Sequence, residues 1–393
     1  MKKIYIYAKK GLQKMINILD FGAKGDGIAN DQPAIQAALD FGEKDIVIPK
    51  GTYIVNDAIK IPSHRHIHAD SDARIIFVYK RKPVQGDFLL TNSDEEDGNE
   101  DITVEGGVWD GGLGREFNVK PRDLYEIGAA SCACLNFVTV KNLRLLNLTV
   151  ANSMAFYIRL SRVRGFELKN IGLTSDTLGP NQDGIHFGGY CRDGVVENIR
   201  ALVKGQTNDD LLAFNADDSL FRHENRGLAC GPIENIVCKN IYAEDCHSAI
   251  RFASVTSPIK HIRIENITAG CRCNGINMDA ARYCRTPLFK EESAPNGVGN
   301  VSDVKISDCT FYFTEGAFDS TNLIVAEEHC DGFEITNLRR PPEKDLRPEY
   351  PTVLARNLTH QKIVADGKET VLTEKSRECT IFGEISHLIF EKL

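Results

Sequence analysis

The sequence predicts an all-β chain wound into a right-handed parallel β-helix, a solenoid closed at its N-terminal end by a capping helix. Three observations carry this expectation. Short segments rich in β-branched and aliphatic residues recur through the middle of the chain, nearly every one carries an Asn at the same relative place, and a single amphipathic helical stretch precedes the first strands.

The recurring segments read VKNLRLLNLTV (140–150), VRGFELKNIGLT (163–174), DGVVENIRALV (193–203), IENIVCKNIYAE (233–244), IKHIRIENITAG (259–270), VSDVKISDCTF (301–311) and DGFEITNLRR (331–340). Alternation over a few residues indicates strands, and repetition at a near-constant period indicates a solenoid. With Asn147, Asn170, Asn198, Asn240, Asn266, Asp308 and Asn337 taken as equivalent, the steps are 23, 28, 42, 26, 42 and 29 residues. Each step of 42 reads as one coil carrying an inserted loop, near 215–231 and 271–300. Asn suits a tight corner between sheets because it tolerates unusual backbone angles and its amide bonds locally. Stacked corner amides can also bond one another along the axis. The segments are too short and too β-rich for pairs of helices.

At the N-terminal end, Asn30-Asp31 followed by QPAIQAALDFG places Ala34, Ile35, Ala38 and Leu39 on one helical face, with Asn30 or Asp31 as the N-cap. A strand, DIVIPKGTYIV, follows. Such a helix covers the open hydrophobic end of a solenoid. Residues 1–15 read as an extension and 16–393 as one β-helix domain. Beyond Pro341 the repeat weakens: PPEKDLRPEYP reads as a linker, and 341–393 as late coils or a C-terminal cap.

A formal net charge of −8 argues against a nucleic-acid partner, which calls for a basic face. No run approaches the roughly 20 apolar residues of a membrane span. Lys9, Lys10, Gln13 and Lys14 interrupt any apolar run of a secretory leader, so a cytoplasmic location is expected. In that setting the twelve cysteines fill the core as small apolar residues. Cys132/Cys134 and Cys271/Cys273 are spaced by one residue, unlike zinc ligands, and neither a metal nor a cofactor is expected.

Three stretches together resemble known proteins. ILDFGAKGDGIANDQPAIQAALD (18–40), with GTYIV after it, resembles the opening segment of the pectin-lyase-like β-helix superfamily. GGVWDGG (106–112), then NQDGIHFGG (181–189) and NDDLLAFNA (208–216), resemble motifs of glycoside hydrolase family 28, the polygalacturonases. The likeness spans roughly 16–340 and implies hydrolysis of an oligo- or polysaccharide, pectin-derived or another plant or microbial glycan, with inversion at the anomeric carbon. It implies Asp209 as general acid and Asp183 with Asp210 as the groups that hold and deprotonate water. The chemistry agrees: glycosidic cleavage needs a proton delivered to the leaving oxygen and another removed from water, and crowded carboxyls do not all ionise. Cys246-His247-Ser248 falls where the family has Gly-His-Gly, so His247 matches its histidine. Asn277 and Asp279 fall where the family has Arg-x-Lys, the cations that hold a substrate carboxylate. Either the sugar is not galacturonate there, or Arg251, Arg263, Arg282 or Arg285 supplies the charge.

Each candidate has a plainer reading. Asp183 beside Gly184 is also a turn residue, Asn181, a candidate substrate contact, is also a corner, and His247 beside Cys246 is also a core histidine. His186 and Arg251 are expected to contact substrate, Arg251 because it shares a face with His247 by strand alternation. Arg282 on the second inserted loop is a further substrate-binding candidate, ahead of Arg285 and of His223 in the first loop. Asp217-Asp218 reads as solvated loop charge rather than a second catalytic pair. Trp109 reads as core packing rather than a sugar platform. The competing functions are a polysaccharide lyase or epimerase on the same scaffold, and a non-catalytic carbohydrate-binding β-helix. The inserted loops decide between endo and exo cleavage, and the sugar, its linkage and the oligomeric state stay open.

Overall fold

The computed structural model describes residues 15–80, 86–114, 132–217, 229–285, 292, 294, 297–319 and 321–393. Residues 1–14, His223 and Asp218 lie outside the described residues. Each recurring segment is a strand: Val140–Ala151, Arg164–Thr174, Arg192–Ala201, Ile233–Ala253, Ile259–Met278, Val301–Phe313 and Cys330–Arg339. Successive strands pair in parallel with register set by the sequence repeat, Leu145 opposite Leu168, then Val196, Cys238, Ile264, Ile306 and Ile335. These are the inward residues, all buried, and their stacking makes the core of a right-handed parallel β-helix.

The corner asparagines do what the sequence leads one to expect. Asn147, Asn170, Asn198, Asn240, Asn266, Asp308 and Asn337 all hold φ between 53° and 57°, a left-handed conformation that Asn tolerates better than branched residues. Their side chains form a ladder along the axis, Asn170 donating to Asn147 at 2.8 Å, Asn198 to Asn170 at 2.8 Å, Asn240 to Asn198 at 3.0 Å and Asn266 to Asn240 at 2.8 Å. A second left-handed corner precedes each of these by five residues, at Asn142, Gly165, Asp193, Asn235, His261, Asp303 and Gly332. Its mixed residue types hide it from a search for a repeated letter.

Gln32–Asp40 is the capping helix, with Ile35, Ala38 and Leu39 buried against the core. Asp31 occupies the N-cap position but makes no capping bond to the helix. Its carboxylate accepts instead from Lys24 N at 2.6 Å and Gly25 N at 3.1 Å. The expected single strand DIVIPKGTYIV is two, Asp45–Ile48 and Gly51–Val55, broken at Pro49, which has no N–H to donate. At the other end, Val353–Arg356 adds one more parallel strand on Ile324–Ala326. The chain then reverses. Glu378–Ile381 and Ile385–Lys392 pair antiparallel with Val353–Arg356 and Cys330–Arg339, and Gln361–Ala365 with Lys368–Leu372 forms a hairpin. PPEKDLRPEYP is not a free linker. Arg340, buried, bonds Asp345 at 2.6 Å and the carbonyls of Arg347 and Tyr350, while Asp345 accepts from Phe313 N at 2.9 Å.

The cysteines fill the core as expected. Eleven are described, none is bridged, and eight of them are buried. Trp109 is fully buried and donates to Gly106 O at 3.0 Å. No described helix is long and apolar enough to cross a membrane.

Candidate active site

One of the sheets carries His186, Asp210, His247 and Arg251, with Asp183 and Asp209 just ahead of its strands. Its strands are Phe156–Ser161, Ile185–Phe187, Asp210–Asn215, the second half of Ile233–Ala253, the end of Ile259–Met278, Ile324–Ala326 and Val353–Arg356. Inside, Phe187, Phe214 and Phe252 occupy equivalent places and stack with ring centroids 4.9 and 5.2 Å apart. The residues between those phenylalanines and their inward neighbours face outward, giving the row His186, Ala213, Arg251, Asn277 and Val325. Three residues earlier in each coil lies a second row: Asp210 opposite Ser248, and Ser248 opposite Asn274. Asp183 precedes Asp210 in that stack, because Gly184 N donates to Asp210 O at 2.9 Å. Gly184 is required for this closeness: a Cβ there would lie 2.5 Å from Leu211 O.

Arg251, Asn277 and Val325 of the first row and Asp210 and Asn274 of the second floor a pocket of about 600 Å³, lined also by Asn181, Asp209, His247 and Arg282. Asp183 is buried behind Asp210 on the preceding coil and is not part of the lining. Ligand atoms of Asp209, Asp210 and His247 all lie within 4.8 Å of one another. His247 Nδ1 is 3.8 Å from Asp209 Oδ1. Asp209 keeps about a quarter of its side chain exposed, whereas Asp210 is buried and its Oδ1 has no protein hydrogen-bond partner. Burial, Asp209 and Asp183 push the Asp210 carboxyl well above the usual carboxylate range, against the pull of Arg251, whose Nη1 is 3.7 Å away. Burial holds His247 below the usual imidazole range, with Asp209 opposing and Arg272, Arg251 and Arg282 reinforcing.

Two of the expected substrate contacts need correction. His186 is buried and does not line the pocket: its ring packs 4.4 Å from that of Phe156, and its Nδ1 meets Asp183 Oδ2 at 2.6 Å. It therefore holds Asp183 from behind rather than facing the pocket. Arg263 stands on the first half of its strand, away from the pocket lining, and pairs with Asp303 at 2.7 Å. Arg251 lines the pocket as expected, but its guanidinium is engaged by Asp279, which also meets Arg282 Nη1 at 3.4 Å. The side chain of Arg285 lies outside the described residues. Asn181 is both a corner, with φ 59°, and a pocket residue.

Asp217 is neither catalytic in placement nor solvated. It is fully buried, and its Oδ2 accepts from the backbone N–H groups of Val255, Thr256 and Ser257 at 2.6, 2.7 and 2.9 Å. The second insertion also begins later than expected, since the strand runs to Met278 before the turn Ala280–Arg285.

The sequence reading misses several lining residues. Phe318, half exposed, lies edge-on to His247 at 5.3 Å and supplies the aromatic face that Trp109 does not. Its only signal is an aromatic in the polar run TEGAFDST. Glu327 and Arg356, which pair with each other, come from coils where the repeat has faded.

The state of Asp210 has a consequence for stability. Its folded-state pKa is raised, so above the ordinary carboxylate range the folded chain holds a proton that the unfolded chain has lost. Stability then falls as pH rises. Wild type and Asp210→Asn are expected to melt together near pH 4, with the variant melting progressively higher toward about pH 8. Thermal unfolding at several pH values checks this, and a constant gap would contradict it.

Comparison with known proteins agrees with this architecture. A family described as rhamnogalacturonase A/epimerase, pectate lyase-like, matches residues 15–155. Plasmin and fibronectin-binding protein A of Streptococcus pneumoniae is 32% identical over 143 residues, 32% of this chain and 20% of that protein. A polygalacturonase of Persea americana is 24% identical over 354 residues, 82% of this chain and 73% of the relative. The chain thus spans a fifth of the first relative and about three quarters of the second. Among solved structures, the family 28 exopolygalacturonase of Yersinia enterocolitica superposes with a TM-score of 0.53 at 16% identity, over 86% of this chain and 74% of that one. The chain has the right-handed parallel β-helix fold and is similar to the pectin-lyase-like superfamily. Within it, the chain is similar to glycoside hydrolase family 28.

Proposed function

We propose that the chain is an inverting glycoside hydrolase acting on an oligo- or polysaccharide. The observation that carries this reading is the convergence of Asp209, Asp210 and His247 in one pocket, with Asp183 stacked against Asp210 on the preceding coil. Water on one face of the anomeric carbon loses a proton to Asp183 as its oxygen bonds to that carbon. On the other face, the glycosidic bond breaks and its oxygen takes a proton from Asp209. His186 donates to Asp183 and favours its anionic, basic form. Burial and the neighbouring Asp209 keep the Asp210 carboxyl protonated in the free protein, so Asp210 is a proton reservoir beside the pocket-facing donor Asp209 and not, as the resemblance implies, a partner of Asp183 in deprotonating water. Neutral His247 beside Asp209 completes the route to solvent.

The finer reading concerns the sugar. Five carboxyl side chains line the pocket, from Asp209, Asp210, Asp279, Asp319 and Glu327, against the three guanidinium groups of Arg251, Arg282 and Arg356. Arg251 and Arg282 both meet Asp279, and Arg356 pairs with Glu327. A site so balanced favours neutral sugars over polyuronates, since like-charge juxtaposition costs several kcal/mol. Polygalacturonate is therefore expected to be cleaved roughly a hundredfold or more slowly than the best neutral glycan. Reducing-end release across a panel of glycans tests both readings. Rapid cleavage of polygalacturonate would overturn the preference, and an unsaturated product absorbing in the near ultraviolet would indicate a lyase. No change in any glycan, with retained binding, would favour the non-catalytic reading.

A further inference from the structure

We propose that Asp45, His66 and His68 form a binding site for a divalent transition-metal ion of the zinc class. It lies on the outer face of the first coils, apart from the carbohydrate pocket. The absence of zinc-like cysteine spacing says nothing about the segment HRHIH, where two histidines are separated by one residue on a strand.

Strand alternation puts both on one side. Arg65–Ala69 runs parallel to Asp45–Ile48, with Asp45 opposite His66 and Ile46 opposite Ile67. Ile46 and Ile67 are buried inward, so His66 and His68 face outward with solvent access, and Asp45 rises between them from the preceding coil. The ligand atoms of the three all lie within 4.8 Å of one another. Asp45 Oδ1 is 2.8 Å from His68 Nε2 and 3.6 Å from His66 Nδ1. Two ligands bound tetrahedrally to zinc at about 2.0–2.1 Å stand about 3.3 Å apart, so the observed separations bracket what an ion would impose.

A fourth residue distinguishes this group from a chance surface cluster. His66 Nε2, the nitrogen turned away from Asp45, lies 3.3 Å from Glu105 Oε2. With Nδ1 on the ion, Nε2–H donates to that carboxylate, the arrangement that fixes the tautomer and orientation of metal-binding histidines. Glu105 is itself held, since its Oε1 accepts from Asn147 at the start of the corner ladder. The two imidazole rings lie side by side with centroids 3.6 Å apart and planes tilted by 34°, and a nitrogen of each approaches the same Asp45 carboxylate oxygen. Two imidazole nitrogens and one carboxylate oxygen suit zinc, nickel or copper and exclude magnesium and calcium, which take oxygen ligands. The neighbouring group of His64, Glu100 and Asp101 offers a single histidine with exposed carboxylates and lacks this arrangement. An ion here would tie the first two coils together next to the capping helix.

The test uses the full chain, freed of any purification tag, stripped with chelator and titrated with zinc chloride by calorimetry. One equivalent is expected to bind with a rise in melting temperature, and magnesium and calcium are expected to do neither. His66→Gln/His68→Gln should lose that equivalent and the thermal response, and Glu105→Gln should weaken binding about 10–100-fold. His64→Gln and Asp209→Asn should keep it. If circular dichroism shows the double variant unfolded, Asp45→Asn takes its place with the same readout. Wild type that takes up no zinc at micromolar concentrations overturns the proposal, as does an equivalent that survives loss of His66 and His68 or disappears with Asp209 or His64.

Discussion

Asp209→Asn is expected to lower kcat on unactivated glycosides by about 10²–10⁴, the usual contribution of a positioned proton donor. The amide keeps the shape of the pocket wall and removes the proton. An aryl glycoside with a good leaving group needs less protonation and should lose much less. Asp183→Ala should fail for a different reason, the loss of the base, and azide should restore turnover because a small anion can replace the activated water. Steady-state kinetics on paired substrates separates the roles: equal losses on both substrates, or unchanged turnover, would remove Asp209 from the acid's place. The alkaline limb of the wild-type pH profile should report loss of the proton that burial holds on Asp210.

Asp217→Ala should produce the largest loss of stability, about 3 kcal/mol or more. Three backbone N–H groups of Val255, Thr256 and Ser257 converge on one carboxylate oxygen of this buried residue, and bonds to a charged acceptor contribute about 1.5–3 kcal/mol each before compensation by entering water. Asp217→Asn should fall between, since an amide oxygen still accepts. Denaturant midpoints measure both variants. If Asp217→Asn abolished turnover while leaving the midpoint unmoved, Asp217 would belong to the chemistry instead.

How much of this is legible in the sequence depends on whether a residue's job constrains its type. The corner asparagines are legible because a left-handed backbone position narrows the choice, and because the choice repeats. The earlier corner accepts Gly, Asp, His or Asn, so its period shows only in the backbone angles. Adjacent Asp209 and Asp210 stand out because paired like charges are costly without a purpose. His186 is misread because alternation gives the side of the strand but not the depth: it points outward yet lies under neighbouring side chains. Asp217 is misread because sequence shows a charge in a loop and not the three donors brought to it from residues 255–257. Arg356 comes from a strand that follows the fading of the repeat, where no periodic signal remains to align it.

The asparagine ladder has a bearing on how such a protein changes over time. Asn198 is joined to Asn170 across 28 residues and to Asn240 across 42, with side-chain separations of 2.8 and 3.0 Å. The spine does not sense how much chain is looped out between its rungs. Closing a longer loop is cheap in entropy, about 0.6 kcal/mol for each doubling of length. Mutation or grafting can therefore lengthen, shorten or exchange the excursions between rungs while the rungs keep their spacing. Diversification of the loops and conservation of the spine become separable tasks for selection and for the protein engineer.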